Sequence, residues 1–377
     1  MHRLVADPAL LAETEEQRQL RTVLRDLLTE SCGSEEVRRQ AGSPRGYDPV
    51  LWDRLAREIG VHGLALPEEY GGAGYTFAEL AVALEETGRV LCPAPLLTTV
   101  VLAGHALLSS DDQEACARRL PDIAAGARTA TVAGFLHPAD MTAEHGPDGW
   151  VLRGEADFVP DGEASDLLLL VARAPDGERV FACEPDPATC DRTARRVLDP
   201  TRRQALVRLR GAPAEPVGEA GQAPEIVDAV LDAGRVALAA EHVGGSAHAL
   251  DALLAHVSGR TQFGRAIGSF QAVKHRLADL LVEIEGARSA SVYASACLAD
   301  GGPELPVAAS AAAVACTGAY RLATTEYVQL HGGIGFTWEH PAHLWLRRAR
   351  ADEALFGTGD DHRLRLAGLL GLTGRDG

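Results

Sequence analysis

Between two helical stretches the chain reads Arg260-Thr-Gln-Phe-Gly-Arg-Ala-Ile-Gly-Ser-Phe-Gln271. Two guanidinium groups, two amides, two aromatic rings and two glycines are gathered there. Such a set can clamp a diphosphate, because Arg forks onto phosphate oxygens and Gly lets backbone N–H groups approach. A polar interhelix connection has the same composition, and short phosphate loops are easily imitated. Gln329-Leu-His-Gly-Gly-Ile-Gly335 is a glycine-rich break after a helix; no strand precedes it, so it is not a dinucleotide fingerprint. Gly71-Gly72-Ala73-Gly74 lacks the following Lys-Ser/Thr of a phosphate loop and reads as a flexible turn. His340 and His343 invite a metal, but no third ligand is near and Pro341 reads as a helix start, so no metal is expected. Asp360-Asp361-His362 reads as acids placed against a helix dipole. Neither G-x-S-x-G nor H-E-x-x-H occurs.

The elements that must position these residues fall into three zones. Residues 1–126 read as helical. Thr14 caps a helix with Leu20, Val23, Leu24, Leu27 and Leu28 on one face. Asp48 precedes a helix from Pro49 to Ile59 that ends at Gly60; Phe77–Val90, Leu96–Leu108 and Gln113–Ala125 follow. Residues 127–218 carry short β-like runs: Thr129–Phe135, Trp150–Arg153, Leu167–Ala172, Arg179–Cys183 and Gln204–Leu209. Pro147-Asp148-Gly149 and Pro175-Asp176-Gly177 supply hairpin turns, so an antiparallel sheet or small barrel is expected, with Ala212–Pro224 as its exit. Residues 219–377 return to helix. Glu225–Ser258 spans roughly 50 Å at 1.5 Å per residue and stops at Gly259; Gln271–Leu298, Val307–His331, Pro341–Leu355 and Asp361–Leu370 follow. The class is α+β: an N-terminal helical domain, a middle antiparallel β-domain and a C-terminal helical bundle.

The chain has 377 residues, of which 46% are hydrophobic and 24% charged, values of a globular protein rather than a disordered or coiled-coil one. Its formal net charge of −17 repels nucleic acid and anionic membranes, so neither is an expected partner. Seven cysteines without a C-x-x-C suit a reduced, cytoplasmic chain. The N-terminal stretch turns acidic too early for a signal peptide, and no uninterrupted apolar run reaches a membrane span. Lys274 is the only lysine.

Four ordered stretches together resemble the acyl-CoA dehydrogenase family: Leu66-Pro-Glu-Glu-Tyr-Gly-Gly-Ala-Gly74, Arg260–Gln271, Ala272-Val-Lys-His-Arg-Leu-Ala-Asp279, and Gln329-Leu-His-Gly-Gly-Ile-Gly-Phe-Thr-Trp-Glu-His340. The resemblance covers essentially the whole chain. It implies three domains in the order above, FAD as cofactor, and α,β-dehydrogenation of an acyl-CoA thioester. In that reaction a carboxylate takes the α-proton while the β-hydride passes to the flavin. The resemblance assigns Arg260, Gln262, Phe263, Gln271, Gln329, His331, Gly332, Gly333 and Thr358 to the cofactor.

Departures from the family pattern are concentrated. One branch places its catalytic Glu beside a Gly-Thr; here the stretch is Leu355-Phe356-Gly357-Thr358, with Phe356 in that place. Another branch places the Glu before an Arg on the first bundle helix; here the pair is Gly234-Arg235. Neither Phe nor Gly can accept a proton, so no catalytic residue is assigned; Glu241, Glu353 and Asp360 are the nearby acids. A flavin- and substrate-contacting loop has become Gly134-Phe135-Leu136-His137-Pro138-Ala139-Asp140, and a Trp-x-Thr-like motif has become Phe158-Val159-Pro160-Asp161. In the family the ADP half of FAD is reached by the neighbouring chain through the Arg260 and Gln329 motifs, while the ring and base belong to the chain that owns the site. The expectation is therefore a partner subunit, resembling those of actinobacterial heterotetramers acting on steroid side chains. It would lend its residues to a Glu-bearing chain. A self-sufficient homo-oligomeric flavoenzyme, an atypical dehydrogenase or a flavin monooxygenase, and a flavin-free structural or regulatory module stand as alternatives.

Overall fold

The computed structural model describes residues 11–372, so the first part of the N-terminal stretch lies outside the described residues. The chain divides into two compact units. One comprises the chain up to Glu36, Ala81–Cys92 and everything from Arg235; the other comprises Val37–Leu80 and Pro93–Gly234.

The first helices are α1 (Glu15–Ser31), α2 (Ser34–Ala41), α3 (Pro49–Arg54), α4 (Phe77–Arg89), α5 (Gly104–Leu108) and α6 (Gln113–Ala124). Thr14 opens α1 with a reciprocal capping box to Gln17. The helix expected from Pro49 to Ile59 is α only to Arg54; a wider π turn over Leu55–Ile59 then closes on Gly60 at φ 79°. The helix expected at Leu96–Leu108 is likewise π over Leu97–Ala103 before α5. That widened stretch carries two buried threonines. The Thr98 hydroxyl donates to the Asp161 carboxylate at 2.7 Å. The Thr99 hydroxyl donates to the Ala130 carbonyl and accepts from the Ala130 N–H. Hydrophobic spacing reveals no such demand for buried hydrogen-bond partners.

The strands are β1 (Ala130–Ala133), β2 (Asp140–Gly146), β3 (Gly149–Pro160), β4 (Leu167–Ala174), β5 (Gly177–Cys183), β6 (Cys190–Ala194) and β7 (Gln204–Val217). Their order is β1-β4-β2-β3-β7-β5; β5 also pairs with β4, closing the sheet on itself, and β6 pairs with β7. The two Pro-Asp-Gly turns make the β2–β3 and β4–β5 hairpins, with Gly149 and Gly177 at φ 108° and 124°. The sheet is mixed rather than wholly antiparallel, since β1 runs parallel to β4. The stretch from Ala212 to Val217 is strand, not exit: Pro213 and Pro216 pair in register with Val151 and Phe181 although they lack the N–H that would have marked a ladder. Leu152, Leu168, Leu170, Phe181, Val207 and Leu209 fill the interior.

The C-terminal elements are α7 (Ala223–Gly259), a hairpin of β8 (Thr261–Gln262) and β9 (Arg265–Ala266), α8 (Gln271–Asp300), α9 (Leu305–His331), α10 (Ala342–Asp352) and α11 (Gly359–Leu369). α7 stops at Gly259 as expected, but with Gly259 as its last helical residue rather than a left-handed cap beyond it; the Arg260 N–H still donates to the His256 carbonyl at 2.9 Å. α4 and α7 meet backbone to backbone: a Cβ on Gly244 would sit 1.8 Å from the Glu85 carbonyl oxygen, and one on Gly88 2.2 Å from that of Glu241. Arg21 and Arg25 of α1 hold the buried Glu86 of α4 at 2.9 and 2.7 Å. By length and composition α9 is apolar enough to cross a bilayer, but its small residues, from Ala308 to Ala323, are packed inside the helical unit. All seven cysteines are buried and unbridged.

Candidate functional site

The hairpin between α7 and α8 is tight and solvated. Phe263 takes the left-handed conformation at φ 52°, followed by Gly264 at φ 77°, which closes the two-residue turn between β8 and β9. The Phe263 ring is 91% exposed, while Arg265 stacks its guanidinium over Phe270 at 3.9 Å. Gly268 packs under the hairpin, where a Cβ would meet Val257 at 3.0 Å. Gln271 opens α8 and is exposed, its amide 2.7 Å from the His275 ring nitrogen. From Arg260 to Arg276 there are four Lys/Arg and no Asp or Glu, in a chain of net charge −17. Lys274 stands exposed on the first turn of α8.

α9 ends beside this hairpin. His331, its last residue, packs its ring against that of His256 of α7, with centroids 4.1 Å apart and the planes tilted by 34°. This places Gln329, His331, Gly332 and Gly333 at the same end of the unit as Arg260, Gln262 and Phe263. Gly332, at φ 64° and ψ −142°, turns the chain out of the helix in a conformation reserved for glycine. Arg276 is paired with Glu326 of α9 at 2.6 Å, which leaves Arg260, Arg265 and Lys274 as the cations of an open end bordered by exposed amides and fronted by an aromatic ring.

Thr358 is not brought to this end. Its hydroxyl donates to Asp361 at 2.7 Å and caps α11, in whose first turn Asp360 and Asp361 face the helix dipole. The adjoining residues Phe356, Gly357 and His362 share a cavity with Ala313 and Thr317 of α9. Thr317 precedes His331 by fourteen residues, roughly 21 Å along the helix axis.

That second place, where the family's base is expected, is closed. Phe356 is 5% exposed, and the cavity beside it measures ≈ 10 Å³, about the smallest that holds one water. Arg235, His242, Asp352 and His362 line it. The His242 Nε2 lies 3.3 Å from the Asp352 carboxylate, and its Nδ1 lies 3.4 Å from the Thr317 hydroxyl. Arg348 lies 3.7 Å from Glu241 and 4.0 Å from Asp352. Burial, with Arg235 and Arg365 nearby, pushes the His362 imidazole below its usual range. Each acid that could replace a missing base is engaged. Glu241 is buried at Arg348, Glu353 pairs with Arg350 at 3.1 Å, and Asp360 pairs with Arg363 at 2.8 Å. Sequence reasoning missed this network. Its only trace was helical spacing: Arg235 and His242 lie two turns apart on α7, and Arg348 and Asp352 one turn apart on α10. Among the described residues no His, Cys, Asp or Glu cluster has metal-binding geometry.

In the other unit, Phe158 sits on a bulge of β3 at φ 53°, nearly half exposed. Its N–H donates to Asp157, which Arg195 clamps through two hydrogen bonds of 2.7 and 2.6 Å. The ring lies edge-on to His137 at 6.0 Å. The Gly134–Asp140 stretch lines an open cleft of ≈ 630 Å³ with Met141, Val171 and Val227.

Comparison with known proteins places the chain. Residues 14–127 match the family model "Acyl-CoA dehydrogenase, N-terminal domain", and residues 225–370 match "Acyl-CoA dehydrogenase, C-terminal domain". Acyl-CoA dehydrogenase IpdE2 of Mycobacterium tuberculosis is 36% identical over 345 residues, covering 90% of this chain and 93% of its own. Among solved structures, the Tcur3481-Tcur3483 steroid ACAD superposes with a TM-score of 0.84 at 31% identity, over 95% of this chain and 98% of that one. A chain of the ChsE4-ChsE5 complex from Mycobacterium tuberculosis superposes with a TM-score of 0.86 at 25% identity, over 97% and 99%. The chain therefore belongs to the acyl-CoA dehydrogenase family of FAD oxidoreductases.

Proposed function

We propose that this chain is a partner subunit of an acyl-CoA dehydrogenase, lending residues to the FAD of a second, Glu-bearing chain. The observation that carries this reading is Phe356, sealed where the base is expected beside a cavity that admits one water and no acyl group. Gly234, the other base position, is buried and equally unable to take a proton. The Arg260 end has the chemistry an ADP moiety demands: cationic, free of carboxylates between residues 260 and 276, and exposed.

When bound, FAD supplies the hydride acceptor for α,β-dehydrogenation of an acyl-CoA thioester. This chain's part is to hold it. Arg260 offsets phosphate charge. Gln262, Gln271 and Gln329 present amide donors and acceptors, with His331 behind them. Phe263 offers a ring face, and Gly332 and Gly333 let backbone approach closely. Thr358 belongs to the Phe356 region instead and has no part in the lent set. The substrate class is a bulky, steroid-derived acyl-CoA, by analogy with the steroid ACAD that this chain resembles at 31% identity. A second reading, in which the chain also owns a flavin ring site, draws on the exposed Phe158 and the cleft near Gly134.

The test is flavin stoichiometry. The chain purified alone is expected to carry no FAD, and a stable complex with a Glu-bearing paralogue one FAD per two chains. One FAD per chain in a homo-oligomer that turns over acyl-CoA overturns the proposal in favour of the second reading.

A further inference from the structure

Three imidazoles from three separate elements meet at the Arg260 end. His256 comes from the last turns of α7, His331 from the end of α9, and His340 from the segment leading into α10. Their rings form a continuous cluster, hereafter the stack, of tilted pairs: centroids are 4.1 Å apart with planes at 34° between His256 and His331, and 4.4 Å apart with planes at 45° between His331 and His340. Tyr327 lies edge-on to both His331 and His340, at 5.0 and 5.7 Å. Between His331 and His340 runs a largely exposed segment, anchored at Gly335, whose backbone lies against the Val328 carbonyl of α9, and at Trp338, which packs edge-on to His343. It holds Gly332 and Gly333, then Ile334, Phe336 and Trp338, the last two 88% and 75% exposed. The stack pins the far end of that segment to α7 and α9.

The hydrogen bonds fix one ring as neutral. His331 Nδ1 donates to the Tyr327 carbonyl at 2.8 Å, as it does in either protonation state. His340 Nδ1 accepts from the Ala342 N–H at 3.2 Å, so its proton sits on Nε2. The groups whose positive charge would oppose protonation are Arg260 and His331 for His256, and His331, His256 and His343 for His340; for His331 burial alone opposes it. From α9 the only other titratable neighbour is Tyr327, a buried phenol whose pKa is pushed up to about 12 and which stays neutral. No carboxylate is among the groups that act on any of the three. Burial lowers all three imidazoles, and the neighbouring cations lower His256 and His340 further.

We propose that His256, His331 and His340 form a proton-operated latch, holding the segment 332–341 to α7 and α9 while neutral and releasing it when protonated. Released imidazoles titrate near 6.5, above their values in the stack, so the open form binds more protons than the closed one below that pH. The latch is therefore fully closed above pH 6.5 and opens as pH falls through the window beneath it. With up to three protons linked, the opening constant rises by as much as about 10³-fold per pH unit. Gln329 lies three residues before the released segment, and Gly332 and Gly333 lie within it. Loss of hold on a neighbouring chain's flavin follows from opening, and that consequence alone rests on the partner-subunit reading.

The latch is tested on the chain by itself, through amide hydrogen-exchange protection factors, which divide out the intrinsic pH dependence of exchange. Between pH 8 and pH 5.5, protection of Gly333–His340 is expected to fall at least ~10-fold while that of β4 and β7 holds. His256→Phe and His340→Phe, singly and together, keep a ring in the stack without a titrating proton; each is expected to flatten the pH response, the double variant most. Equal protection at both pH values in the wild type, or a wild-type response in the single variants, overturns the latch. Flavin retention by the two-chain complex over the same range tests the partner reading separately. A working latch without flavin loss would refute only the link between them.

Discussion

Two places in the helical unit, one at the ends of α7 and α9 and one midway along them, handle charge in opposite ways. Around Arg260 the polar side chains face water: Arg260, Gln262, Lys274 and His275 are exposed, and Phe263 projects a bare ring. Around Phe356 the polar side chains are withdrawn: His242, Arg348 and Asp352 are all buried, His242 and Asp352 lining an almost filled cavity and Arg348 lying 4.0 Å from Asp352. Groups that must engage something outside the chain cannot be satisfied within it, whereas groups whose task is internal must be, because a buried unpaired charge costs several kcal/mol. The exposed end has the character of a binding surface and the closed place midway that of a packed interior.

The largest effect that could break this contrast comes from Phe356→Glu. A carboxylate forced into a cavity of ≈ 10 Å³ is expected to cost on the order of 4 kcal/mol in urea unfolding, with no dehydrogenation gained. A variant as stable as wild type that turned over acyl-CoA would show the closed place to be a site after all. Next, Asp352→Ala leaves His242 and Arg348 without their shared carboxylate and is expected to cost about 3 kcal/mol, read by the same unfolding curve. At the open end the signs reverse. Arg260→Ala is expected to leave stability within about 0.5 kcal/mol while weakening flavin retention in the two-chain complex about tenfold, or 1.4 kcal/mol. Smallest is Phe263→Ser, for which flavin retention should drop only a few-fold and unfolding should not move, since a ring that is 91% exposed packs little. A marked loss of stability from either open-end variant would mean that this end is structural.

Much of the fold was legible because it rests on local chemistry. Thr14, the Pro-Asp-Gly turns and the one-sided leucines of α1 each declare an element through the residues inside it. What escaped depends on distant partners. The π turn over Leu97–Ala103 carries Thr98 and Thr99, whose partners are Asp161 and Ala130. β2 and β6 are short and polar, held by ladders to β3 and β7 rather than by their own pattern. Gly259 does mark the end of α7, but as its last helical residue and not through the left-handed turn that glycine permits. At the candidate site the motif residues near Arg260 and Gln329 could be read in order along the chain, but that His256 and His331 bring them to one place could not. The His242–Asp352 network was invisible for the same reason: its members come from α7 and α10, and only folding introduces them.

The lone lysine has a practical consequence. Amine-directed reagents recognise no side chain on this molecule other than Lys274, which stands exposed one turn into α8. A dye, spin label or short crosslinker aimed at primary amines therefore attaches, the α-amino group aside, at a single address within the cationic end. The unmodified protein thus comes already equipped for distance measurements: a quencher on a candidate second chain would dim that label only if the two meet at this end.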